Sequence, residues 1–328
     1  MKKIGWIEIL SRKYGGRVYE QEAKKALAAN FDFELKLVGT DPNKKGYFRA
    51  PDILFSLLKL KGEKDVLIRD VYTLLTLGWD KLKGKNLVLI HHIDFSQSSG
   101  LGRAFDYFIE RLTYWKLRRA DFIVTVSEYW KNHFLQRGFK NVYKIYNSFD
   151  LASYQITDQE VLEFKKKHKL EGKPIIYLGN CQADKGVKES YEALKDLDAF
   201  LVTSGEKFIE IPAKNLQVEY REYLKLLKAS SLVIFMSKIK EGWGRTAHEA
   251  LLLKTPVVGS GLGGSKELLE GAKQIVCPDF KKLKEKVEHL LKNPEARKQM
   301  GQDGYNFAKE FTAEKFAKDW VNLIKDLK

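Results

Sequence analysis

SSLVIFMSKIKEGWGRTAHEALLLKTPVVGSGLGGSKELL, residues 230–269, runs from an apolar strand through a glycine-bearing loop into a helix and out into a second strand. The runs LVIF and PVV are short and β-branched, as buried parallel strands are, while the stretch between them carries its apolar residues at helical spacing. Strand, crossover helix and strand in this order form a βαβ unit. Such units build a parallel sheet covered by helices on both faces.

The same alternation extends in both directions. Toward the amino end, strands are predicted near 3–9, 33–38, 65–70, 86–91, 121–126 and 142–147. A second series is predicted near 174–179, 198–203, 231–236, 255–259 and 274–277, with a terminal helix over 312–328. The segment NSFDLASYQITDQE, a lysine-rich helix and EGKP separate the two series. The expected fold is therefore α/β, with two Rossmann-like, doubly wound parallel-sheet domains facing an interdomain cleft. The expected boundaries are 1–150 for the first domain, 151–173 for a linker, 174–311 for the second domain, and 312–328 for a helix placed to pack back on the first. A chain of 328 residues is long enough for two such cores.

Composition narrows the class. The chain is 44% hydrophobic and 31% charged, as soluble globular proteins are, and no run approaches the apolar length of a spanning helix. MKKIGWIEIL reads as a strand and not a signal peptide, so the cytoplasm is the expected compartment. Cys181 and Cys277 are the two cysteines, too few for a disulfide framework or a cysteine-rich zinc site. The net charge is +15, and residues 1–150 hold most of it, with 27 Lys and Arg against 17 Asp and Glu. That surplus attracts anionic partners such as nucleic acid, phosphorylated substrates or an acidic membrane, or it is a solvated lysine-rich surface.

Within the opening stretch, Glu241 and Glu249 bracket the turn eight residues apart, with Gly242 and Gly244 between them. Glycines at a helix N-terminus let backbone N–H groups approach an anion, and the helix dipole favours its charge. Carboxylates accept hydrogen bonds from vicinal hydroxyls, so one glutamate suits a sugar and the other a ribose. The plainer reading is a capped helix with two surface glutamates. Gly15 and Gly16, after the first strand, are similarly either a ligand-approaching turn or a plain tight turn.

EGWGRTAHEA resembles the signature of the retaining glycosyltransferases of family 4, a glutamate followed after seven residues by a second. The likeness continues through TPVVGSGLGGSKELL, ADFIVTVSEYWKNHFLQRGFKNVYKIYNSFD, PIIYLGNCQADKGVKESYEAL and NLVLIHHID. It covers most of the chain from about residue 86 onward and implies the GT-B fold. The resemblance implies that Glu241 contacts hydroxyls of a donor sugar, Glu249 holds ribose hydroxyls and Lys185 contacts the donor diphosphate. It implies too that His92 or His91, with His92 favoured, hydrogen-bonds the transferred sugar. Gly242, Trp243 and Gly244 fall in its donor-binding loop.

In one place the sequence departs from the family. Asn180 stands after Gly179, where the family usually carries an arginine, so a dipole replaces a permanent charge. Arg245 is a candidate substitute for that cation; its alternative is a solvent-facing arginine in a first helical turn. The resemblance implies a same-face, retaining displacement from a nucleotide-diphosphate sugar. No Asp-x-Asp motif follows a strand in a donor-binding position, so no essential metal is expected. The acceptor is unassigned, and a lipid-linked one fits GLGRAFDYFIERLTYWKLRRAD, residues 100–121. This basic, aromatic helix either lies at an anionic membrane or packs its rings on the sheet. A sugar-nucleotide epimerase on the same scaffold is the second enzymatic reading. A nucleic-acid-binding protein is the third, without a recognisable motif to support it.

Overall fold

The computed structural model describes residues 1–9, 16–38, 49–94 and 101–327, with backbone alone at 49–50 and 101–106. The chain forms two units, residues 1–148 with 313–328, and residues 149–312.

The first unit contains β1 (Lys3–Ile9), α1 (Arg17–Ala28), β2 (Asp32–Val38), α2 (Arg49–Leu58), β3 (Lys61–Arg69), β4 (Lys81–Ile90), α3 (Leu101–Leu117), β5 (Phe122–Thr125), α4 (Glu128–Gln136) and β6 (Val142–Lys144). Its sheet runs β2-β1-β3-β4-β5-β6, with each described pairing parallel. Val66–Ile68, Leu87–Ile90 and Phe122–Thr125 are buried, as strands covered on both faces must be. The edge strand β2 is largely exposed along its length.

The second unit contains α5 (Asp158–Lys167), β7 (Ile175–Asn180), α6 (Val187–Leu194), β8 (Phe200–Ser204), β9 (Lys214–Leu216), α7 (Tyr220–Ala229), β10 (Leu232–Phe235), α8 (Arg245–Leu252), β11 (Val257–Gly259), α9 (Gly264–Gly271), β12 (Ile275–Val276), α10 (Leu283–Lys292) and α11 (Pro294–Ala308). Its parallel sheet runs β12-β11-β10-β7-β8-β9. Counted within the unit this is the Rossmann order, and its direction reverses between β7 and β10. Ligands in such sheets bind outside the carboxyl ends of the strands flanking that reversal.

Two details refine the expected layout. Residues 151–173, expected as a linker that includes a lysine-rich helix, fall within the second unit: that helix is α5, which packs on α7. Thr157 and Glu160 cap α5 reciprocally, and Lys165, Lys166 and Lys167 sit where its dipole favours cations. The sequence reading also missed β9, a three-residue edge strand without an apolar run.

The terminal helix, α12 (Ala313–Asp326), lies in the first unit against α1. Its buried stripe Phe316, Trp320 and Ile324 meets Tyr19 of α1, with Phe316 edge-on at 4.8 Å between ring centroids. The Lys2 ammonium donates to Ile324 O at 2.8 Å, satisfying a carbonyl of the last turn. No helix among the described residues is long and apolar enough to cross a membrane.

Candidate functional site

In the second unit the loops leaving β7 and β10 meet at the reversal of strand order. Lys238 N donates to Asp184 O at 2.8 Å, which ties the loops together. Lys185, from the first loop, donates to Glu241 Oε1 of the second at 2.8 Å, and Ser237 Oγ donates to the same oxygen at 2.8 Å. The two side chains are 27% and 11% exposed, so the pair is partly open to solvent. Burial works to lower the Lys185 pKa, but the charge and hydrogen bond of Glu241 together with the charge of Asp184 outweigh it, and the ammonium is held above its ordinary value. Sequence placed these residues 56 apart; the fold makes them one charged pair.

Backbone geometry fixes the loop that carries Glu241. Its N–H donates to Leu262 O at 3.2 Å and its carbonyl accepts from Gly264 N at 2.8 Å. Gly263, at φ 71°, lies so close that an added Cβ would fall 2.5 Å from Glu241 O. Gly244 is the N-cap of α8 at φ 107°, a conformation few L-residues adopt. Gly242 is buried in the same loop.

Glu249 forms a second and different cluster. Its side chain is 4% exposed. Oε1 accepts from Tyr220 OH at 2.9 Å and Arg245 Nε at 3.0 Å, and Oε2 accepts from Tyr223 OH at 3.2 Å. Tyr154 OH lies 3.0 Å from Tyr220 OH. Because the single Tyr220 proton goes to Glu249, Tyr154 is the donor in that contact. Burial pushes the Glu249 carboxyl above the ordinary carboxylate range, against the pull of Arg245 and the two phenols. Burial also pushes Tyr220 up to about 12 and raises Tyr154 and Tyr223 as well, so the hydroxyls stay protonated as donors.

This cluster also defines the surroundings of Arg245. The guanidinium turns back one helical turn onto Glu249 and lies 4.5 Å from the Phe149 ring. It is neither solvent-facing nor disengaged for a diphosphate, and its charge is already committed. Trp243 is engaged as well: it is 3% exposed, and its Nε1 donates to His248 Nδ1 at 3.0 Å. The indole holds the loop and presents no face to a donor. His248 in turn stacks on Phe149 at 3.9 Å and 10°, and its Nε2–H donates to Ala308 O at 3.0 Å. Burial lowers its pKa to about 3, so it is neutral at neutral pH.

Asn180 ends β7 and is exposed. Its Oδ1 lies 3.2 Å from both Tyr177 OH and Ser204 Oγ; one of these hydroxyls donates to the other across 2.7 Å and the second donates to Oδ1, which turns the amide N–H groups the other way. Asparagine thus offers donors at the carboxyl end of a central strand without a charge.

In the first unit His91 and His92 follow β4. His91 is partly buried, edge-on to Tyr19 at 5.1 Å, with Nε2 3.6 Å from Glu20 Oε1. His92, favoured by sequence, is exposed. Gly15 lies outside the described residues. Gly16 is the N-cap of α1 at φ −68°, open to any residue, so its glycine is not conformationally required.

Tyr154, Tyr220, Tyr223, Phe149, His248 and Ser237 were missed by sequence reasoning. Only the Tyr220–Tyr223 spacing on one helix offered a signal; Tyr154 is distant in sequence and Ser237 is an ordinary loop serine.

Comparison with known proteins agrees with this architecture. Residues 7–153 match the family described as Glycosyltransferase Family 4, and residues 158–307 match Glycosyl transferases group 1. An uncharacterized glycosyltransferase of Methanocaldococcus jannaschii is 26% identical over 72% of this chain and 67% of its own. The N-acetyl-alpha-D-glucosaminyl L-malate synthase of Bacillus anthracis is 26% identical over 64% of this chain and 61% of its own. Among solved structures, Anabaena HepE in complex with UDP-glucose superposes over 100% of both chains with a TM-score of 0.81, at 15% identity.

Proposed function

We propose, from the premise that this chain is a family-4-like glycosyltransferase of the GT-B fold, that it transfers a sugar from a nucleotide-diphosphate sugar with retention and without a metal. The observation that carries the reading is the Lys185–Glu241 pair at the strand-order reversal, with Glu249 one α8 turn behind Arg245. Glu241 accepts from hydroxyls of the donor sugar, and Glu249 anchors the ribose. The Lys185 ammonium and the N-terminal amides of α8 face the diphosphate. Anabaena HepE, of the same fold, was crystallised with UDP-glucose, which is consistent with a nucleotide-sugar donor.

In the transfer step an acceptor oxygen bonds to the anomeric carbon while the bond from that carbon to the diphosphate oxygen breaks. Both events occur on one face, and the acceptor proton passes to the departing phosphate oxygen. Charge accumulates on that phosphate, and Lys185 is the cation best placed to offset it. Incubation with UDP-, GDP- and ADP-sugars, with products read by mass and anomeric configuration by NMR, tests donor and stereochemistry together. Inverted product, or no transfer from any donor, overturns the reading. Turnover is expected to survive excess EDTA; activity abolished by EDTA and restored by magnesium overturns metal independence.

The acceptor belongs to the first unit in this reading, and a lipid-linked acceptor has support on α3. Tyr107, Phe108, Arg111 and Trp115 are exposed along one stripe, with Arg111 over Tyr107 at 5.6 Å and Arg119 over Trp115 at 4.5 Å. Aromatic rings alternating with arginines suit an anionic bilayer surface. Lys116, by contrast, is buried, donates to Leu77 O at 2.9 Å and lies 3.3 Å over the Trp79 ring, so it takes no part. Co-sedimentation with phosphatidylglycerol but not phosphatidylcholine vesicles is expected, and equal recovery with both would refute it. The side chains of Arg103 and Phe105 lie outside the described residues.

A further inference from the structure

We infer that Glu189 and Lys238 form a positioning pair for the transfer: without touching the donor themselves, they set where the Lys185 ammonium stands. The inference rests on the proposed function, in which Lys185 faces the donor diphosphate.

Lys238 holds the turn that carries Lys185 from both sides. Its backbone N–H donates to Asp184 O at 2.8 Å, just before Lys185, and its ammonium donates to Glu189 Oε1 at 2.7 Å, in the first turn of α6. Between these points the chain passes through Gly186 at φ 66°, where an added Cβ would fall 2.1 Å from Met236 O. The loop after β10 thus meets the Lys185 turn at residues 184, 186 and 189. That loop also carries the partner of Lys185. Ser237, the neighbour of Lys238, donates to Glu241 Oε1, the oxygen that Lys185 also binds. Lys238 therefore fixes cation and carboxylate in one frame.

The value of this pair lies in geometry and not in stability. Its two side chains are 31% and 38% exposed, and an ion pair that open adds little to folding. Lys185 sits at the end of a flexible stem, so a shift of its turn moves the ammonium with it. A misplacement of about 1 Å at a reacting centre costs on the order of a hundredfold in rate. Loss of Glu189 or Lys238 should accordingly be felt in turnover while the fold stands.

The test is steady-state kinetics on the full chain with UDP-, GDP- and ADP-sugars, beside urea denaturation of each variant. Glu189→Ala and Lys238→Met, the second keeping the stem and the backbone N–H, should each lower kcat about tenfold, with KM for the donor within about twofold. The urea midpoint should not move. The double variant should be no slower than the slower single, since both break one contact. Lys238→Arg, which keeps charge and reach, should retain most of the wild-type rate. In a Lys185→Ala background, with no ammonium left to position, Glu189→Ala should change kcat by less than about twofold.

Wild-type kcat in both singles overturns the inference, and so do losses that multiply in the double variant or persist in the Lys185→Ala background. A urea midpoint that falls with kcat shows mere support of the fold and overturns it too. Loss with Lys238→Met but not with Glu189→Ala makes Lys238 a donor ligand and refutes the pair. A slow Lys185→Ala beside a fast Glu189→Ala leaves the proposed function standing and removes this inference alone. An unchanged kcat in Lys185→Ala, or no turnover of any donor, removes both.

Discussion

Two glutamates eight residues apart, each paired with a cation, have opposite surroundings. Glu241 meets Lys185 where the two loops leave the sheet, in a pair that water still reaches. Glu249 meets Arg245 within α8, almost wholly buried, with two phenols completing the set. The first pair keeps some contact with solvent, so its cation turns toward an incoming phosphate at a smaller cost than one in a sealed pair would. In the second pair separation strands a charge in a poorly solvated place. The open pair is thus suited to chemistry and the closed one to holding a fixed anchor.

Removing the buried partner should have the largest effect. Glu249→Ala leaves Arg245, Tyr220 and Tyr223 without their shared acceptor, and unfolding free energy should drop by about 3–5 kcal/mol, as for other broken buried pairs. Urea denaturation measures it. A loss under 1 kcal/mol would show that the cluster is not the rigid element described. Lys185→Ala should hardly move stability yet lower kcat/KM by about 2.7–4 kcal/mol, the range for one donor at a developing oxyanion. An unchanged kcat would place the diphosphate elsewhere.

The fold was legible where hydrophobic period speaks. LVIF, PIIYLG and NLVLI announced central strands because burial on both faces demands unbroken apolar runs, whereas Lys214–Leu216 pairs through backbone alone and leaves no such mark. The carboxylates at 241 and 249 could be identified by residue type and spacing. Their difference in environment could not, since it depends on Tyr154, Tyr220 and Tyr223, which tertiary packing brings together. The partners of Trp243 and Arg245 were hidden for the same reason: a loop tryptophan and a first-turn arginine look available in sequence, and only packing brings them to His248 and Glu249.

A pH experiment sharpens the contrast from the side of the closed cluster. His248 has its folded pKa lowered to about 3, so it stays neutral while an unfolded histidine takes a proton below its ordinary value near 6.5. Stability from this group is therefore full above pH 6.5 and lost as pH falls toward 3. The slope is about 1.4 kcal/mol per pH unit for one proton. Between pH 6.5 and 5 the wild type should lose about 1.6 kcal/mol more than His248→Phe, because the slope reaches its full value only below the unfolded pKa. Parallel curves for the two proteins would mean that His248 is not the neutral strut between Trp243 and Ala308.

The smallest expected effect concerns the position where the chain departs from its family. If Arg245 had replaced the arginine absent at 180, restoring one there would rescue its loss. The geometry argues otherwise, because Arg245 Nε is bound to Glu249 Oε1 and the amide of Asn180 already faces away from Tyr177 and Ser204 at the strand end. The two residues serve different groups: Arg245 is bound to Glu249, the ribose anchor of the proposed function, and Asn180 closes the carboxyl end of β7 against Tyr177 and Ser204. Arg245→Ala should accordingly weaken nucleotide binding and raise KM, by about 1.5–3 kcal/mol for a lost hydrogen bond to a charged group, with kcat little altered. Asn180→Arg added to that variant should change KM by no more than about 0.5 kcal/mol, the ordinary range for an exposed substitution. Independent sites add, so the double variant should equal the sum of the singles. Recovery of a lost kcat in the double variant would show instead that both cations act on the departing diphosphate, and that the Arg245–Glu249 contact opens when the donor binds.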